Sequence, residues 1–232
     1  PRLTEFVAMI AAINGIAPVF APVIGGVLLS ITSWKGIFIV LIFIGLVLLT
    51  LCLKIKESLS KEKRSIKPLL SNFIIYGKVF TNKTYNIHLC IYMFSMLILF
   101  AYVSSSPFIL QSVYGLSPML FSLCFALNAI SIGVGCMLAG KMKGKQSLKA
   151  GGIVMIVSAI ITALALVLVH NVIVVEIAFI LIMFSFGLLQ PKSTSIALDS
   201  ERSNAGTASA ALGASGFIMG GVVSPLVGIG NI

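Results

Sequence analysis

The sequence predicts an all-α integral membrane protein with about seven transmembrane helices, and three observations carry that expectation. Hydrophobic residues make up 59% of the chain and charged residues only 9%, at a mean hydropathy of +1.13. Soluble domains carry about 25% charged residues, so this chain lacks the material for a polar surface. Seven apolar runs each approach the roughly 20 residues needed to cross the hydrocarbon core. The gaps between those runs alternate between basic and uncharged, as the loops of a polytopic protein do.

The first run spans about 6–31 and carries no charge from Phe6 to Trp34. Pro18 and Pro22 each remove a backbone donor, while Gly15, Gly25 and Gly26 offer no Cβ and admit a neighbouring helix closely. In lipid such breakers are tolerated because neighbouring helices satisfy the freed carbonyls. The stretch therefore reads as a bent, tightly packed element of a protein that moves. Lys35 separates it from the second run, at 36–54.

A basic segment follows, with Lys54, Lys56, Lys61, Lys63, Arg64, Lys67, Lys78 and Lys83. It reads as a cytoplasmic linker over 57–84 with a short surface helix at 66–80. The third and fourth runs, 86–106 and 119–140, are joined by an uncharged gap. Lys141, Lys143, Lys145 and Lys149 precede the fifth, at 150–169, and only His170 and Asn171 separate it from the sixth, at 171–190. An inner loop with Gln190, Pro191, Lys192 and Asp199 to Arg202 leads to the seventh, at 205–229. Basic gaps face the cytoplasm, which places the N-terminal end inside and the end of the last run outside. The linker divides the chain into the end of a first bundle (1–56, two spans) and a second bundle (85–232, five spans).

Composition also excludes classes. The net charge of +10 arises from the inter-span segments, so it is a topology signal and not a nucleic-acid face. Cys52, Cys90, Cys124 and Cys136 lie in or beside apolar runs without a CxxC pair, the pattern of buried thiols. No metal-ligand cluster, nucleophilic triad, Walker A loop or dinucleotide fingerprint is present, so no catalytic, cofactor or metal residue is nominated and no enzyme is expected. No cleavable signal peptide is visible, and the chain opens without an initiator Met, as a fragment would.

Near the C-terminal end, Ser224-Pro225-Leu226-Val227-Gly228 repeats the small-Pro-apolar-apolar-Gly pattern of Ala21-Pro22-Val23-Ile24-Gly25, 203 residues earlier. The last run also holds a GxxxG pair at Gly216 and Gly220. Transporters built from two related bundles show internal repeats of this kind, and chance recurrence of small residues in membrane helices is the alternative.

Asn14-Gly15-Ile16-Ala17-Pro18 through Ala21-Pro22-Val23-Ile24-Gly25-Gly26 resembles the glycine-proline antiporter motif in the fifth helix of major facilitator superfamily drug:proton antiporters. Ser33-Trp34-Lys35-Gly36-Ile37-Phe38 matches the entry to that family's sixth helix. The stretches 100–108, 114–118 and 125–129 are similar to its bicyclomycin/chloramphenicol-resistance branch. The resemblance implies major-facilitator-type bundles, with the chain covering helices five to eleven of an expected twelve. Helices one to four and twelve, with the acids usual for proton coupling, would then lie outside it.

Alternating access needs a polar cavity and a titratable group that biases one orientation. Glu176 is the sole acid well inside an apolar run and is the proton-coupling candidate, an interfacial or structural carboxylate being the alternative. His170 reads as a solvated loop residue. Tyr102, Ser104, Ser105, Ser106 and Gln111 gather at the outer end of the third run near Pro107, as gate or cavity residues or as helix caps and turn formers. Asn128 and Asn14 sit within spans, to line a cavity or to bond between helices. Met and Phe side chains such as Phe94, Met96 and Met183 read as lipid-facing or core packing, with an adaptable drug-binding wall as the alternative.

The favoured reading is a monomeric, multi-pass exporter in a bacterial inner membrane that exchanges small hydrophobic drug-like substrates for protons and confers antibiotic resistance. The rivals are a carrier of a metabolite, such as a sugar or amino acid derivative, and a truncated non-transporting membrane protein.

Overall fold

The computed structural model describes residues 24–29, 31–55 and 69–227. Gly15, Pro18 and Pro22 of the antiporter-like motif, and Asn14, lie outside the described residues. Residues 24–29 are helical, and a Cβ at Gly26 would stand 3.5 Å from Ser122 Oγ, so this stretch lies alongside the helix that carries Ser122.

Seven long helices follow: α1 (Trp34–Lys54), α2 (Leu69–Thr81), α3 (Lys83–Pro107), α4 (Pro118–Lys141), α5 (Gly144–Leu164), α6 (Val172–Ser200) and α7 (Ala205–Val227). All but α2 are long and apolar enough to cross a membrane. The chain is thus an all-α, multi-pass membrane protein. Residue chemistry explains the boundaries. Asn82, Ser117 and Asn171 cap α3, α4 and α6 by accepting hydrogen bonds from backbone N–H groups in the first turn. Pro118 then takes the first position of α4, where its missing donor costs nothing. Gly115, at φ +67°, turns the chain before that cap in a conformation that side chains rarely adopt.

α1 buries none of its residues. A helix that is apolar on every face and left uncovered by the other described residues belongs in lipid. The other spans likewise turn Leu, Ile, Val and Phe outward, for example Phe94, Leu120, Ile156 and Phe217. Between them lie small and polar side chains such as Ser131, Ser147, Ser158 and Ala178, which let membrane helices approach and bond, together with larger ones such as Phe179 and Met183.

α6 is the hub. It packs against α3, α4 and α5, and more than half of its most apolar stretch is buried. Gly135 on α4 and Gly187 on α6 meet face to face, each with the other helix's backbone where a Cβ would stand. Ser131 Oγ donates to the Ile180 carbonyl at 2.7 Å beside that crossing, and Ser147 Oγ of α5 donates to the Leu188 carbonyl at 2.8 Å. α7 rests on α3 through Gly216 against Tyr92 and Met96, and through Gly220 against Phe100.

Two boundaries differ from the sequence reading. α6 does not stop at Pro191 but continues to Ser200, so Gln190, Pro191 and Lys192 are helical rather than part of an inner loop. Two residues on, Ser193 Oγ donates to the Leu189 carbonyl at 2.9 Å, one of the local side-chain bonds that help a proline sit inside a membrane helix. α2 is also more than a surface helix: Val79 is fully buried with Tyr85, Leu89, Ala208 and Leu212 at the foot of α3 and α7.

Candidate functional site

The Pro107 end of α3, the Pro118 end of α4 and the Val172 end of α6 bring three of the proposed residues together. Glu176 lies one turn inside α6 and Asn128 lies mid-way along α4. Asn128 Nδ2 donates to Glu176 Oε1 at 2.7 Å and to the Cys124 carbonyl of its own helix at 2.9 Å. Asn128 is 1% exposed, so its amide is removed from water and aimed at the carboxylate. Glu176 is half-buried. An amide that reaches between helices is the interhelical role weighed for Asn128, and here its partner is the acid itself.

Tyr102 reaches the same place from α3. Its ring stacks on Phe125 at 5.7 Å and meets Phe179 edge-on at 5.1 Å. Phe125 stands one turn before Asn128, and Phe179 stands one turn after Glu176. Each polar residue of the pair is therefore flanked on its own helix by a ring that clamps Tyr102. Ser106, one turn beyond Tyr102, is fully buried at the edge of the cluster. The sequence places Ser106 with Tyr102 in the polar group near Pro107. Its spacing of four from Tyr102 was the available signal.

The other candidates are placed differently. Ser105 Oγ donates to the Ala101 carbonyl of its own helix at 2.7 Å, a back-bond within α3. Gln111 lies in the π-helical turn Phe108–Val113 that follows Pro107. Pro107 cannot donate to the preceding turn, and the wider turn continues the helix past it. Ser104 Oγ donates to Ser224 Oγ at 2.9 Å, tying α3 to α7 next to Pro225. His170 is exposed, with φ 47°, in the turn between α5 and α6. Of the motif glycines, Gly26 faces α4, and a Cβ at Gly25 would meet nothing within 4 Å.

At the opposite end of the bundle, a second polar node joins four elements. Asn82 Nδ2 donates to Glu201 Oε1 at 2.7 Å and to the Ser200 carbonyl at 3.0 Å, and Asn204 Nδ2 donates to Glu201 Oε2 at 3.1 Å. These amides hold the Glu201 carboxyl below the usual carboxylate range. Arg202 pairs with Asp199, at 2.9 Å and well exposed, where an ion pair contributes little.

Comparison with known proteins bears on what such a bundle is for. The family model of the Major Facilitator Superfamily matches residues 1–225. The chain is 32% identical over 235 residues to the uncharacterized MFS-type transporter YdgK of Bacillus subtilis (strain 168), covering 98% of this chain and 58% of that protein. It is 28% identical over 223 residues to multidrug resistance protein D of Escherichia coli (strain K12), covering 91% of this chain and 54% of that protein. The chain thus spans a little over half the length of these curated relatives. With a family model matched across nearly its whole length and a helical bundle of membrane-spanning segments, this chain belongs to the Major Facilitator Superfamily, a family of transporters and not of enzymes.

Proposed function

We propose that the chain is part of a proton-coupled multidrug exporter of the bicyclomycin/chloramphenicol-resistance branch, working by alternating access in a bacterial inner membrane. Residues 1–56 end its first bundle, 57–84 form the cytoplasmic linker, and 85–232 build the second bundle. Small hydrophobic drug-like molecules and protons are the exchanged species, and the working unit is a monomer. The observation that carries this reading is the Asn128–Glu176 bond among apolar helices. An ionised carboxylate there is costly, and its protonation removes that cost, so a proton is a ligand able to bias one conformation over another. Gly26 against α4 supports a role for the motif helix at the contact between the bundles. The name of the Escherichia coli relative favours drugs over metabolites as cargo.

The test is Glu176→Gln in the full-length transporter, assayed for efflux of a chloramphenicol-like compound driven by an imposed pH gradient. The proposal expects efflux to fall by roughly two orders of magnitude, as loss of an essential proton-transfer group does, while the protein still reaches the membrane. Unchanged pH-driven efflux would remove Glu176 as the coupling group.

A further inference from the structure

Four buried polar atoms around Glu176 have no hydrogen-bond partner among the described residues: Glu176 Oε2, Asn128 Oδ1, Tyr102 Oη and Ser106 Oγ. Two are acceptors, on α6 and α4, and two are hydroxyls four residues apart on one face of α3. Donors and acceptors match in number, yet no two of these atoms bond to each other. Buried polar atoms in native proteins are nearly always satisfied. A complementary set left just apart marks an element with a second position, in which the hydroxyls of α3 meet the acceptors of α4 and α6.

The local build permits the shift. The Tyr102 hydroxyl spends no hydrogen bond where it stands, and its ring lies between Phe125 and Phe179, along which it slides without breaking one. Pro107 withholds a backbone donor one turn further on, and the wider turn Phe108–Val113 follows it. The two oxygens of Glu176 then divide the work. Oε1 accepts from Asn128 Nδ2 and remains an acceptor in either form of the carboxyl. Oε2 is a bare acceptor when the group is ionised and a hydroxyl when it is protonated. A hydrogen bond to an ionised carboxylate is about twice as strong as a neutral one, so Tyr102 gains more at Oε2 from the charged form. Little else there answers a change of charge. Cys124 of α4 is the other titratable neighbour, the end of α5 adds only Ala165 and Leu166, and His170 is exposed in the turn before α6. Among the described residues the one ion pair, Asp199–Arg202, lies at the far end of α6.

We infer that Tyr102 is a positioning residue that reports the charge of Glu176 to α3. The ionised carboxylate draws the Tyr102 hydroxyl onto Oε2 and the Pro107 end of α3 toward α6, and protonation lets both go. The proton then has the differential affinity for two arrangements that a conformational shift requires. The inference rests on the reading of Glu176 as a proton-binding carboxylate and adds the side chain and the helix that respond to it.

The experiment measures a distance in the full-length protein, freed of native cysteines and held in lipid nanodiscs without substrate or ion gradient. Val113→Cys and Ile173→Cys, both at exposed positions beyond Pro107 and at the start of α6, carry spin labels read by double electron–electron resonance. Spectra are taken at about pH 5 and about pH 9, on either side of the range in which buried carboxyls titrate. From the lower to the higher pH the short-distance population should grow about tenfold relative to the long one, the difference between a charge-assisted and a neutral hydrogen bond. Tyr102→Phe removes one oxygen and keeps the ring contacts, and it should abolish the response, as should Glu176→Gln. A distance that ignores pH, or a response that survives either substitution, overturns the inference. Should Tyr102→Phe not fold, the parent and Glu176→Gln decide the matter by the same criteria. If the inference fails while Glu176→Gln has lost pH-driven efflux, only the link through Tyr102 falls and proton coupling stands. Intact pH-driven efflux in Glu176→Gln removes the coupling reading itself.

Discussion

Asn82 works through both ends of one amide. Its Oδ1 accepts from the Thr84 and Tyr85 N–H groups at 3.0 and 3.2 Å, starting α3, while its Nδ2 holds Ser200 and Glu201 where α6 ends. Asn82→Ala should cost about 1 kcal/mol for the lost cap and free Glu201 as well, read as a lower unfolding temperature in detergent. The Glu201 carboxyl is depressed below its ordinary value of 4.5 by its two amide donors. A carboxylate of that kind contributes stability above its unfolded pKa and loses it as pH falls through the folded one. Thermal scans from pH 6 down to pH 3 should therefore show an acid-side loss of stability that shrinks in Glu201→Gln. An unchanged acid limb would mean that the node is not held by the ionised form. A long-range contact to Asn82, across 119 positions, is not legible in local spacing.

At the scale of the elements, glycine positions separate contact from mere composition. Gly187 has the backbone of α4 where a Cβ would stand, and backbone cannot move aside as a side chain can. Gly187→Ala should push α4 and α6 apart and destabilise the protein by about 1–3 kcal/mol, the usual range for overpacking. Gly133, on α4 near that crossing, has nothing within 4 Å of a Cβ. Gly133→Ala should be neutral or stabilising by up to about 1 kcal/mol, from helix propensity. Differential unfolding of the two variants checks both at once, and equal effects would refute the close crossing. The length of α6 belongs to this scale too. Its apolar run ends at Gln190, yet the helix runs ten residues further, because hydropathy marks the lipid-embedded part of a helix and not its end.

For the whole molecule, the alternation of basic and neutral gaps makes a prediction about sidedness. In a variant lacking the four native cysteines, His170→Cys should react with a membrane-impermeant maleimide from outside intact cells. Lys145→Cys should react only after the membrane is opened. The reverse labelling would invert the bundle, and with it the side of the membrane nearer to Glu176.

The residue order alone determined the membrane class, the six spans among the described residues and the residue types for a polar site. Those follow from hydropathy, charge placement and the chemistry of each side chain, all of which are local. The tertiary structure decided which polar residues meet. Glu176, Asn128 and Tyr102 are drawn from three helices and join because α6 packs against both α3 and α4, whereas Ser105, equally polar in sequence, turns back on its own helix. In lipid the apolar faces are nearly interchangeable, so the pairing of helices rests on glycine fit and on a few hydrogen bonds between distant positions, and a one-dimensional pattern does not contain those.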